Sequence, residues 1–252
     1  MSKRGRGGAV GRLQAPFLRS ITLNPTVDHD MSAWPLSIPA ITAEPLRIDF
    51  TRPVTILVGP NGSGKSTLLE AIAGLCGFGR QGGGSAYYRS DQAEEELLSR
   101  HLRAAWLPRV ARGFYTRAET LQGFIEQFED YNRDRREKLA DRSHGEAYLS
   151  IFGRYVGGEG IYIFDEPEAA LSPSRQIEFL RLMRRAEAGG RAQIIIATHS
   201  PLIMAYPGAT LLHLTDRGLV ERPFQLTDHF RVLREFYLDP DGFMDGVFSD
   251  LD

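Results

Sequence analysis

The sequence has a single cysteine, Cys76, which excludes an intramolecular disulfide and any CxxC metal motif. One thiol suits a reducing compartment, with Cys76 expected to serve as a small apolar residue at the end of a helix. No uninterrupted apolar run reaches the roughly 18 residues of a membrane span. The basic, glycine-rich N-terminus also lacks the apolar stretch of a secretion signal, so the expectation is a cytoplasmic chain without direct membrane insertion. Charge imbalance is missing too: 30 Lys and Arg face 32 Asp and Glu, a net charge of −2. The protein as a whole thus does not resemble a constitutive polyanion binder, and any basic surface must be local. What the chain does have is 252 residues with 42% hydrophobic content, enough to bury the core of one α/β domain over 13–252. Residues 1–12 carry Lys3, Arg4, Arg6 and Arg12 among glycines, and they read as a disordered basic tail.

The most specific stretch is Gly59-Pro60-Asn61-Gly62-Ser63-Gly64-Lys65-Ser66, followed by Thr67. It fits G-x-x-x-x-G-K-[ST] at every fixed position, a pattern that carries meaning only between a buried strand and a helix. Both flanks comply. Val54, Ile56, Leu57 and Val58 precede it, and Leu68, Ala71, Ile72 and Leu75 follow at helical spacing. Glycines let the backbone wrap a phosphate closely, with N–H groups and the helix N-terminus facing its negative charge. Lys65 is then expected to reach the β- and γ-phosphates of ATP, and the Ser66 hydroxyl to ligate Mg²⁺.

Ahead of this loop, Phe17 to Leu23 and Leu46 to Phe50 alternate as half-buried strands of an antiparallel layer. Trp34 lies between them, expected in the core, with stacking on an adenine ring as the alternative. After the loop, Gly77 to Gly84 read as a glycine-rich connection. Leu98, His101, Leu102 and Ala105 then recur at helical spacing, which makes His101 a packing residue of that stripe. Arg112 to Thr116 reads as a short strand and Thr120 to Leu139 as mostly helical. Ser143-His144-Gly145-Glu146 forms a capping box before Tyr148, Ile151, Phe152 and Tyr155. Capping does not require Gly145, whose missing side chain leaves room for a group to approach the helix start. Ile161 to Phe164 is a buried strand running into Asp165-Glu166-Pro167-Glu168, two acids whose burial is costly unless they hold a metal and act on a substrate. Ser172-Pro173 starts a helix that buries Phe179, Leu182, Met183 and Ala186 and ends at Gly189-Gly190. Gln193 to Ala197 delivers Thr198-His199-Ser200 to the same sheet edge. Leu211 to Leu214 and Leu219 to Glu221 form a closing hairpin, Phe230 to Tyr237 a helix, and the remaining chain is acidic.

In this order the phosphate loop, the S-x-G-E helix start, the strand-borne Asp-Glu-Pro and the strand-borne Thr-His resemble the ATP-binding-cassette (ABC) ATPases across most of the chain. Within that family the sequence is most similar to soluble, stand-alone bacterial ATPases often labelled AAA-family, through Arg117-Ala118-Glu119, Ser143 to Glu146, Asp165 to Pro173 and Ala197 to Pro201. It departs from the family in lacking the L-S-G-G-Q signature and in carrying Ser172 where an aspartate is usual. Glu119 is a positional candidate for the Q-loop glutamine.

The resemblance implies an α/β P-loop NTPase fold with a parallel-sheet core, an antiparallel β layer and a helical subdomain at about 77–158. It further implies an ATP-sandwiched homodimer. ATP and Mg²⁺ lie on Gly59 to Thr67, with Asp165 holding the metal, Glu166 polarising the attacking water and His199 contacting the γ-phosphate. Ser143 and Gly145 close the site from the second subunit. The expected function is a soluble ATPase acting on an unidentified protein partner or on nucleic acid. Its alternative is the nucleotide-binding subunit of a transporter. For the first, Arg112, Arg117 and Glu119 near Phe114 and Tyr115 read as a polar contact surface.

Overall fold

A computed structural model describes residues 14–43, 46–79, 98–117, 144–156 and 158–249. The expected basic tail, the helical reading of 120–139, Glu119 and Ser143 lie outside the described residues.

Apolar, β-branched runs make the centre of the domain. Val54–Val58 (β3), Gly160–Asp165 (β6) and Ala192–Ala197 (β7) are buried at every position, the pattern of strands covered on both faces. With Gly113–Arg117 (β5), Thr210–Thr215 (β8) and Gly218–Glu221 (β9) they form a sheet in the order β5-β6-β7-β3-β8-β9. All neighbours pair parallel except β8 with β9, which is the expected closing hairpin. A second sheet, order β2-β1-β4, is antiparallel and consists of Leu18–Leu23 (β1), Arg47–Asp49 (β2) and Leu102–Trp106 (β4).

β4 corrects the expectation of a helix through Leu98, His101, Leu102 and Ala105. Only Ser99–His101 turns, as one 3₁₀ turn, before the chain extends along β1 with Leu23 opposite Leu102 and Ile21 opposite Ala104. Leu102 is buried while Arg103 points to solvent, so a two-residue period operates where the larger spacing suggested 3.6. His101 consequently joins no helical stripe; its Nδ1 lies 2.9 Å from Nδ1 of His29. The stretch 98–117, placed in the helical subdomain from sequence, instead supplies one strand to each sheet.

The helices are Pro39–Thr42 (α1), Lys65–Cys76 (α2), His144–Tyr155 (α3), Pro173–Ala188 (α4), Pro201–Met204 (α5), Asp228–Leu238 (α6) and Pro240–Phe248 (α7). α2 packs Leu68, Leu69 and Ile72 against the same cluster as Leu57, Ile163 and Ile195, one face of the parallel sheet; Cys76 ends it, buried as expected. α3 and α4 cover the other face, where Phe152, Phe164 and Phe179 meet at ring distances of 4.8–5.3 Å. Burying each such ring contributes about 2–3 kcal/mol. Ser172 sits at the α4 N-cap with Pro173 at the first helical position, but its hydroxyl meets Ser174 Oγ at 3.1 Å and caps no N–H. Among the described residues no helix is long and apolar enough to cross a membrane.

The two sheets share a hydrophobic cluster and are also linked by a buried, hydrogen-bonding side chain. Gln193, at the second position of β7, accepts hydrogen bonds from the N–H groups of Phe17 and Leu18 and donates to the Leu18 carbonyl, at 2.8, 2.9 and 3.0 Å.

Candidate nucleotide site

Because β3, β5, β6 and β7 run parallel, their carboxyl ends share one edge, where ligands of open α/β sheets bind. β3 ends at the phosphate loop, β6 at Asp165 and Glu166, and β7 just before Thr198 and His199. The structure thus brings together Gly59 to Thr67, Asp165, Glu166 and His199.

The loop turns into α2 through Gly64, whose φ of 94° is left-handed and whose Cβ, if present, would lie 2.7 Å from the Ile38 side chain. Only glycine meets both conditions. Lys65 is 5% exposed. Its Nζ donates to the carbonyls of Gly59 and Pro60, each at 2.9 Å. Burial lowers the Lys65 pKa, opposed by the negative charges of Glu166, Asp165 and Glu168. Ser63 Oγ is buried without a partner among the described residues.

Ser66 Oγ donates to Asp165 Oδ1 at 3.2 Å, while Tyr115 OH and Arg117 Nε reach Oδ2, each at 3.4 Å. Arg117 also pairs with Glu70 of α2 at 2.5 Å. Even so, burial pushes the Asp165 pKa up to about 6, with Arg117 and Ser66 pulling against it. A carboxylate held at such cost beside a serine hydroxyl fits a hard cation that prefers oxygen ligands and keeps much of its own water, which is how Mg²⁺ binds. Among the described residues no three or more His, Cys, Asp or Glu side chains gather as in a closed metal centre.

Asp165→Asn tests that cost. The folded-state pKa lies above the ordinary 3.8, so the penalty is absent below that pH, grows up to about 6 and is constant above. At pH 7 the ligand-free Asn variant is expected to be more stable by about 1–2 kcal/mol, allowing for the weakened Arg117 contact. Urea denaturation at several pH values should show the gain fading as pH falls through 6. A variant less stable at pH 7 would refute it.

Glu166 is the one non-glycine residue at positive φ among the described residues, at φ 50° and ψ 53°. That conformation costs about 1 kcal/mol or more and persists only where the surroundings impose it. Here the Glu166 N–H donates to the Ala197 carbonyl at 2.9 Å, locking the chain as it leaves the sheet. The carboxylate is left half exposed, with Oε1 3.9 Å from His199 Nε2. The His199 backbone N–H donates to Glu168 Oε1 at 2.5 Å. His199 Nε2 has no hydrogen-bond partner among the described residues.

Two sequence expectations need correction. Trp34 is 60% exposed, outside the core, and shares a cleft of about 680 Å³ with Ile38, Asn61, Lys65, Thr67 and Glu166. Phe114 and Tyr115 are 6% and 0% exposed and Arg117 is engaged by Glu70 and Asp165. Phe114, Tyr115 and Arg117 are thus turned inward and away from the polar contact surface expected there; Arg112 is exposed, and Glu119 lies outside the described residues. Gly145, in the first turn of α3, has an intrachain reason for being glycine: a Cβ would lie 2.9 Å from the Ala170 carbonyl. Sequence reasoning also missed Tyr115 and Arg117 as partners of Asp165. The one signal for them is register, since β5 places Arg117 opposite Asp165.

Comparison with known proteins adds three findings. Residues 116–205 match a family described as "AAA domain, putative AbiEii toxin, Type IV TA system", and residues 41–101 match an AAA domain family. The zinc import ATP-binding protein ZnuC of Alkalilimnicola ehrlichii is 28% identical over 204 residues, covering 75% of each chain. Among solved structures, MJ1267, an ATP-binding cassette of an ABC transporter, is 16% identical over 78% of this chain and 92% of its own, with a TM-score of 0.47. The SMC head domain from Thermotoga maritima is 15% identical over 82% and 98%, with a TM-score of 0.43. These superpositions are loose, and no conclusion rests on them. The two family matches, the curated relative and the motif residues gathered on one sheet edge together support an ABC-type P-loop ATPase.

Proposed function

We propose that the protein binds ATP with Mg²⁺ on Gly59 to Thr67 and hydrolyses it to ADP and phosphate as a homodimer that drives a partner molecule. The observation that carries this reading is the convergence of Lys65, Ser66, Asp165, Glu166 and His199 at neighbouring strand ends. Lys65 would exchange the Gly59 and Pro60 carbonyls for phosphate oxygens, gaining a charge-assisted contact. Ser66 and Asp165 would hold Mg²⁺, which when bound neutralises triphosphate charge. Glu166 is the base: its carboxylate accepts the proton of the attacking water as the oxygen bonds to the γ-phosphorus and ADP departs. The unpartnered His199 Nε2 beside it would contact the γ-phosphate. Exposed Trp34 at the cleft rim offers its face to the adenine.

Ser143 and Gly145, at the start of α3, would close the site of a second subunit. Complementation tests this. Ser143→Arg and Lys65→Ala, each inactive alone, should on mixing recover up to about a quarter of the wild-type ATPase rate if subunits exchange at random and each site acts independently. No recovery despite proven subunit exchange would count against sites shared between chains.

The partner class has two readings. The toxin–antitoxin description of one matched family supports a soluble protein or nucleic-acid partner. The curated relative supports a separate membrane subunit. Fractionation of native cells separates them: recovery in the soluble fraction, with ATPase activity that responds to a soluble partner or to DNA in a salt-sensitive way, supports the first. Recovery in membranes bound to an integral protein supports the second.

A further inference from the structure

The first turn of α6 lies beside His199 at the edge of the nucleotide site. Its start is fixed by Thr227, a buried N-cap whose Oγ1 accepts from the Phe230 N–H at 3.0 Å and donates to the Phe224 carbonyl at 2.8 Å. Phe224 and Phe230 meet edge to face at 5.2 Å on the same turn. This anchoring points His229, in the first turn of α6, at the end of β7, where its ring lies 6.0 Å from that of His199 and is tilted by 47°. Burial lowers the His229 pKa, and the positive charges of His199 and Lys65 act in the same direction, against Asp228. The His229 ring is therefore mainly neutral at pH 7 and adds little repulsion beside Lys65. No residue of α6 or α7 is fully buried; His229 and Phe230, both half-buried, are where the first turn of α6 meets the domain.

His199 needs such a neighbour. It follows the last residue of β7 by two positions, its backbone is held by Glu168, and its Nε2 has no hydrogen-bond partner among the described residues. A histidine side chain turns about two torsions, and with Nε2 making no hydrogen bond among the described residues its rotamer is set by packing. We infer that His229 is a positioning residue for hydrolysis: it walls the His199 ring into the rotamer that keeps Nε2 facing Glu166, and so joins the C-terminal helix pair to the hydrolytic site. This rests on the hydrolytic reading of Glu166 and His199 given above.

Turnover, affinity and the His199 ring can be read separately. His229→Ala is expected to lower kcat at least about fivefold while ATP affinity changes less than about twofold, and His229→Phe, which restores a planar ring, to recover most of kcat. The His199 imidazole NMR signals, assigned by their loss in His199→Gln, should shift and broaden in His229→Ala even without nucleotide. Unchanged kcat with unchanged His199 signals in a folded His229→Ala protein overturns the proposal. A parallel fall of kcat, affinity and Tm that His229→Phe does not restore overturns it too, since that marks a purely structural ring. Perturbed His199 signals in a chain whose wild type has no ATPase activity would support the ring contact and refute the hydrolytic reading instead.

Discussion

Glu166→Gln is expected to stop ATP turnover, lowering kcat by about a hundredfold or more, while ATP still binds. The amide keeps the size and planarity of the carboxylate but cannot take a proton from water. The side chain is half exposed and its ion-pair contact among the described residues is with His199 at 3.9 Å, so the exchange breaks no buried ion pair and the fold should persist. The left-handed backbone of residue 166 is imposed by the Ala197 hydrogen bond, and glutamine tolerates it at similar cost. With hydrolysis blocked, the variant should collect as an ATP-bound dimer, measured by light scattering after size exclusion. Near wild-type turnover would move the base to another residue, with Glu168 the nearest carboxylate in sequence besides the proposed metal ligand Asp165.

Lys65→Ala is expected to weaken ATP binding at least tenfold, about 1.4 kcal/mol, in calorimetry or fluorescent-nucleotide titration. Lys65 is the fixed positive charge of the phosphate loop, and its Nζ already bridges two loop carbonyls. Alanine removes the charge from the phosphates and leaves those carbonyls to water. Alanine also suits the first turn of α2, so Tm should change by only a few degrees. An unchanged affinity would sink the assignment of the nucleotide site.

The central sheet was legible because its strands are short, apolar and bounded by glycine or by the motif residues themselves. The phosphate loop, Asp165, Glu166 and His199 were legible because each ends such a strand. What escaped reading depends on contacts distant in sequence. Leu98, His101, Leu102 and Ala105 satisfy a helical period, yet β1 offers Leu102–Trp106 a hydrogen-bonding edge and pairing decides the outcome. Helix α7 was read only as an acidic tail, although Asp239 accepts the Gly242 N–H as an N-cap and Pro240 occupies the first helical position. Two glycines in its nine residues masked that signal. Trp34 was expected inside because large aromatics usually are, whereas its exposure reflects the cleft it borders. His229 carries no motif at all, and only the docking of α6 reveals its neighbour.

The Gln193 amide has a mechanical consequence. It grips β1 at the start of a strand whose other end leads to His199, and a six-residue strand is a stiff rod of about 20 Å. A displacement at the His199 end would load β7 along its axis and reach the antiparallel layer through three hydrogen bonds of a single side chain, beside the apolar cluster the two sheets share. Load applied along β7 would therefore pass into β1 at this seam, where the Gln193 amide holds both Phe17 and Leu18.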